Sequence, residues 1–152
     1  MARKAAYNSC SAQPRFHKSV VALVKQYTNL TFIFRHNDTD LKATDIWNTN
    51  VMGQFTCPNE NCRKSGWSSK KIAIRIRMYP GRRYNARVYH QRCKKCERLG
   101  ELELDDSYAE RVAYWLLKWN GVELEKPSHA GQSKGPHNKK LCEGCKAGHC
   151  EE

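Results

Sequence analysis

The chain has 152 residues, enough for one domain and at most a small appendage. A hydrophobic fraction of 39% beside 28% charged residues leaves room for only a modest core, so something besides burial is expected to help hold the fold. The net charge of +12 argues for anionic partners such as RNA, DNA, acidic proteins or anionic lipid, and says nothing about architecture.

In chain order, residues 1–15 are polar and without periodicity, and read as a flexible N-terminal arm. The opening MARKAAYNSC has no apolar core of a secretory signal. No run approaches the roughly 18 apolar residues of a membrane-spanning helix. A cytoplasmic or nuclear location is therefore expected, a reducing setting in which a disulfide framework is not. Phe16, Val20, Leu23, Val24 and Tyr27 share one face at helical offsets, which predicts a helix over 16–27. LTFIFR, residues 30–35, predicts a strand, and HNDTDLKATDIWNTN reads as turn-rich, with Trp47 as a packing anchor.

The clearest secondary-structure signal is KIAIRIRMY. Ile72, Ile74, Ile76 and Met78 alternate with Ala73, Arg75, Arg77 and Tyr79, which predicts a strand with one buried face. Pro80-Gly81 marks a turn, and YNARVYHQR returns as a second strand over 84–92. A third strand is expected over 101–104. An apolar stripe of Tyr108, Val112, Trp115, Leu116 and Trp119 predicts a helix over 107–119, with Asp105, Asp106 or Ser107 as its cap and Asn120-Gly121 as its stop. Residues 126–136 have the composition of a linker.

The eight cysteines carry the chemistry: Cys10, Cys57, Cys62, Cys93, Cys96, Cys142, Cys145 and Cys150. In a reduced compartment, clustered pairs point to metal. Zinc takes four ligands in a tetrahedron, and one closely spaced pair supplies two corners from a single tight turn. Cys57/Cys62 and Cys93/Cys96, brought together by the predicted hairpin, make one zinc-ribbon-like site. His137, Cys142, Cys145 and Cys150, spaced His-x4-Cys-x2-Cys-x4-Cys, make a second, a terminal knuckle that folds because metal binding becomes folding free energy. For its fourth corner Cys10 and His129 stand next to His137, with His149 and His90 behind; otherwise Cys10 is a free thiol. Two zinc ions per chain are expected. Four thiolates leave no open position for a reacting water, and no catalytic motif appears, so the protein is expected not to be an enzyme.

The basic residues gather around the same hairpin. Lys71, Arg75 and Arg77 are expected on its polar face, Arg82 and Arg83 at its tip, and Arg87, Arg92, Lys94 and Lys95 along the return strand and second knuckle. Interleaved Tyr79, Tyr84 and Tyr89 are placed to stack on unpaired bases. This predicts RNA, or another polyanion, as the partner. Oligomeric state is not legible.

Three cysteine pairs, the string YHQRCKKC and the ending GPHNKKLCEGCKAGHC, with TNVMGQFTC, GWSSKKIAIRIRMYPGRRYNARVYHQRC and DDSYAERVAYWLLKW, resemble the 3CxxC-type zinc-finger family. That family includes receptor-transporting and zygote arrest proteins, and short stand-alone members are the nearest in form. The resemblance spans about residues 16–150, and the first pair departs from the family spacing as Cys-x4-Cys. It implies zinc on the seven clustered cysteines, and its GPH string supports His137. It implies a small α+β zinc-binding fold: an antiparallel zinc-ribbon-like β-sheet with two flanking helices and a C-terminal zinc knuckle. The domain would then run over 16–150, with a central ribbon at 52–104, the helix at 107–119 and the knuckle at 137–150. Zygote arrest proteins imply RNA binding. Receptor-transporting proteins imply the alternative, a protein-interaction adaptor or chaperone-like factor for membrane-protein trafficking, although the membrane anchor typical of those members is expected to be missing here.

Overall fold

A computed structural model of the protein describes residues 10–12, 14–37, 39–62, 66–125 and 141–146. The expected linker, His129, His137, His149 and Cys150 lie outside the described residues. The elements are β1 (Cys10–Ala12), a 3-10 turn (Pro14–Phe16) leading into α1 (His17–Lys25), β2 (Ile33–Phe34), β3 (Asp45–Thr56), β4 (Gly66–Tyr79), β5 (Arg83–Tyr89), β6 (Glu101–Leu104), α2 (Ser107–Trp119) and the short α3 (Glu143–Lys146). The strands form one sheet in the order β1-β5-β4-β3-β6, with β2 pairing β5 in parallel and the other pairs antiparallel.

The alternation in β4 does what its period requires. Ile72, Ile74 and Ile76 lie opposite Val51, Thr49 and Trp47 of β3, while Ile74, Ile76 and Met78 lie opposite Val88, Ala86 and Tyr84 of β5. That face packs with Val20 and Val24 of α1 and with Tyr108, Val112, Leu116 and Leu117 of α2. The α2 boundaries match the apolar stripe. The Ser107 N–H donates to Asp105 Oδ1 at 2.8 Å, and the far end closes with Val122 N–H to Leu117 O and Gly121 N–H to Lys118 O, Gly121 being left-handed at φ 82°.

Three expectations need correction. The predicted arm contains β1, which the sequence hides because a three-residue edge strand needs no periodicity of its own. The predicted 30–35 strand shrinks to Ile33–Phe34, since only that part reaches the β5 edge. The turn-rich stretch is turn-like only to Thr44: residues 45–51 belong to β3, where cross-strand pairing with β4 overrides the asparagines' and aspartate's poor strand propensity. A register shift between Val51 and Gly53 then rotates the start of β4, so that Trp67 lies opposite Phe55 and stacks on it at 5.2 Å between centroids.

The second face of the sheet is not the open basic surface that the sequence suggests. The 35–44 loop folds across it. Asn85 Nδ2 donates to the Arg35 and Asn37 carbonyls, the Tyr79 hydroxyl donates to the Thr39 carbonyl, and Asp40 meets two arginines of β4.

Candidate metal centre

The first two cysteine groups are loops at one end of the long hairpins. Cys57 follows β3 directly, and β4 begins soon after Cys62, so the first loop is tied at both ends to paired strands. The chain leaves β5 through Gln91 and Arg92, turns at Cys93–Cys96, and returns past Leu99, which pairs with Arg92. The Glu97 N–H donates to the Cys93 carbonyl at 2.9 Å, the Cys93 N–H donates to the Arg98 carbonyl at 2.8 Å, and Glu97 is left-handed at φ 61°. That closes a tight knuckle with both thiols on its inner side.

The four sulfurs of Cys57, Cys62, Cys93 and Cys96 all lie within 4.8 Å of one another. Cys57 Sγ is 3.5 Å from Cys96 Sγ, and Cys62 Sγ is 3.7 Å from Cys93 Sγ. A zinc–sulfur bond of about 2.3 Å gives a tetrahedral edge of about 3.8 Å, so the donor set fits a zinc ion in size and in chemistry. The four intervening residues of the first pair do not prevent this: the Cys62 N–H donates to Asn59 O at 2.9 Å, which tightens the longer loop.

Backbone amides are already turned toward the sulfurs. The Asn59 amide favours the Cys57 thiolate, but burial and the three neighbouring thiols outweigh it and push Cys57 up to about 12. For Cys96 the Arg98 amide leads, against burial and with help from Cys57, and holds the thiol down to about 6. Burial alone would raise Cys93, yet the Cys96 and Lys95 amides and the thiols of Cys62 and Cys57 lower it. Without metal, four crowded thiols divide their protons unequally; a divalent cation lets all four ionise together.

Sequence reasoning missed the buttress behind this cluster. Trp67 Nε1 donates to Gln91 Oε1 at 3.1 Å, and Gln91 Nε2 donates to Ser69 Oγ at 2.9 Å and to the Lys71 carbonyl at 3.2 Å. Gly100 N–H donates to Gln91 O at 2.8 Å, and a methyl group at Gly100 would meet Trp67 Cη2 at 2.7 Å and Phe55 Cδ1 at 2.9 Å. Gln91 stands between His90 and Arg92, and nothing in that stretch of sequence signals this network.

The third pair docks on the same exit from β5. Cys142 bridges Gln91, with Arg92 N–H to Leu141 O at 2.8 Å and Glu143 N–H to His90 O at 3.1 Å, and Arg92 Nε reaches Glu143 Oε1 at 2.6 Å. Cys142 is 0% exposed, and the Cys145 N–H points to its sulfur at 3.4 Å, repeating the relation of the Cys96 amide to Cys93. His137 and Cys150, expected to complete this knuckle, lie outside the described residues.

The residues expected to bind RNA are divided. Arg77 is 0% exposed and bonded to Asp40 and Asn85, and Arg75 is held by Asp40 and Asn48, so neither belongs to an open surface. The physical reason is the 35–44 loop, whose Asp40 carboxylate draws both guanidinium groups. Arg92 is engaged by Glu143, and Lys71 and Arg87 are half-buried. Arg82, Arg83, Lys94 and Lys95 are exposed, but the first two sit at the hairpin tip and the last two at the knuckle, about 20 Å or more apart along β5. Tyr79, Tyr84 and Tyr89 are buried and cannot stack on bases.

A family model described as a zinc-binding domain, the 3CxxC zinc ribbon, matches residues 50–148, a span that contains all three cysteine clusters except Cys150. Comparison with curated proteins and with solved structures gave no match.

Proposed function

We propose, from the premise that the chain belongs to the 3CxxC zinc-ribbon family, that it is a non-enzymatic zinc-held module that binds RNA through the basic side chains left exposed at the two ends of its central hairpin. The observation that carries the zinc reading is the cluster of Cys57, Cys62, Cys93 and Cys96 at tetrahedral spacing. Zinc there ties the two loops together and closes its own coordination sphere, which leaves it a structural rather than a reacting ion. A second zinc on the Cys142/Cys145 knuckle is part of this reading. It is supported by the buried Cys142 sulfur and the amide aimed at it.

The RNA reading rests on the +12 charge together with exposed Arg82, Arg83, Lys94 and Lys95. Two separated basic ends suit contacts to phosphates along an extended strand, and the buried tyrosines remove base stacking from the scheme. The adaptor alternative is favoured by one feature: Trp47, 39% exposed, lies stacked on Trp115 with centroids 4.5 Å apart and offers an apolar contact at the start of β3.

The test combines metal counting with binding. Chain purified without chelator should hold two zinc ions and bind a random single-stranded RNA pool with affinity that falls steeply as salt rises. Reversing Arg82, Arg83, Lys94 and Lys95 to glutamate should abolish that binding while the zinc content stays the same. Equal binding by that variant rejects the basic-end reading, and no binding by the parent redirects the function to protein partners through the Trp47 surface.

A further inference from the structure

Cys10 belongs to no part of the matched span, which begins at residue 50, yet the fold brings it to the third cysteine pair. In β1, Cys10 lies opposite Tyr89 of β5. Cys142 lies opposite Gln91, two residues further along the chain and just past the end of β5. Both neighbours use one edge of that strand. The carbonyls of Arg82 and Tyr84 are taken on the outer edge by Ile33 and Arg35, and His90 and Arg92, in the same even-numbered alternation, bond the segment around Cys142. β1 occupies the outer edge between them, since β4 fills the inner one. Positions two apart on a strand are about 7 Å apart, and two sulfurs on one zinc are about 3.8 Å apart, a gap that cysteine side chains span.

We infer that Cys10 is a zinc ligand of the terminal knuckle, joining Cys142 and Cys145 and tying the N-terminal strand to the C-terminal segment through the metal. The inference rests on the second-zinc reading above. The Cys10 thiol releases its proton to solvent as the metal binds, as every thiolate ligand must. Three thiolates from β1 and the knuckle make the site a clasp between β1 and the segment around Cys142, rather than a loop wrapped on itself.

Cadmium-113 substituted for zinc in the full chain reads this directly, because the resonance position reports how many sulfurs hold each ion. The parent should give two resonances. Cys10→Ser should leave one unchanged, move the other toward fewer sulfurs, and weaken the second metal by more than about tenfold, the loss already typical of removing a mere outer partner of a ligand. In the zinc-loaded parent, the Cys10 peptide should resist iodoacetamide, and it should react once a chelator is added. Two unchanged resonances in Cys10→Ser, or prompt alkylation of Cys10 in the loaded chain, overturn the inference and leave the second zinc standing. A parent with a single resonance overturns the second-zinc reading as well, leaving only the first site.

Discussion

Arg77, wholly buried under the sheet's second face, donates through Nε to Asp40 Oδ1 at 2.5 Å, while Asp40 itself stays 51% exposed. A buried cation thus has its counter-charge on a surface loop, and the loop is held down by that bond. Arg75 shares the carboxylate. The Arg75 hydrogen bond, acting with Arg77 and against partial burial, draws the Asp40 carboxyl from 3.8 down to about 2. A lowered folded value means stability that is present above about pH 4 and lost as pH falls through about 2. Asp40→Asn should therefore cost about 1–3 kcal/mol at neutral pH, less than for a fully buried pair because water reaches the carboxylate. Urea unfolding of the zinc-loaded protein checks it, and the difference from the parent should shrink in acid. An unchanged midpoint at neutral pH would show that the loop is held by other bonds.

Zinc uptake at the four-cysteine centre should expel protons. With Cys96 near 6 and Cys57 near 12 in the absence of metal, the cluster is only partly ionised at neutral pH. Affinity must fall as pH falls, since each thiol that regains a proton competes with the metal. Calorimetric titration in two buffers of different ionisation heat gives the proton count directly. A count of zero at neutral pH would contradict the crowded-thiol picture.

Gly100→Ala should disturb the centre from behind. The added methyl group would lie 2.7 Å from Trp67 and 2.9 Å from Phe55, rings already stacked on each other. Overpacking of this kind costs about 1–3 kcal/mol. Because Gly100 also bonds Gln91, zinc should be lost to a competing chelator more readily than from the parent. Thermal unfolding and chelator competition should move together; a lower melting point with unaltered zinc retention would separate the buttress from the metal.

Tyr108→Phe should do the opposite of most core changes. The Tyr108 hydroxyl is buried and has no hydrogen-bond partner among the described residues. Burial, with the nearby Tyr84 phenol adding to it, raises its pKa, so the neutral hydroxyl remains. Removing an unsatisfied buried hydroxyl should leave stability unchanged or raise it by about 1 kcal/mol. Chemical denaturation measures it, and a clear loss would reveal a bonding partner outside the described residues.

The parts legible in the sequence are those with a repeating physical cause. The isoleucine alternation of β4, the stripe of α2 and the pairing of two cysteine groups through a hairpin each repeat or pair within a short stretch, and each is where it was expected. Asp40 was invisible in its role, because one of three aspartates in a turn-rich stretch carries no sign of the arginines it will meet across the sheet. Reading Arg75 and Arg77 as a solvated face followed from strand alternation alone, which tells which residues share a side and not what covers that side. Gln91 and Trp67 likewise acquire their bond only after the β-bulge near Val51 turns Trp67 onto the core face.

The outer edge of β5 receives β2, β1 and the segment around Cys142, drawn from the early and the final stretches of the described chain. This has a consequence for the order of assembly. The β3–β4 and β4–β5 hairpins join neighbours in sequence and can form while the rest of the chain is still being made, whereas the knuckle's pairing with β5 must wait for residue 141. Until then one border of the central sheet is incompletely paired, and incompletely paired strand borders are where newly made chains stick to one another. The segment around Cys142, made after all the strands, is thus the one that finishes sealing the sheet.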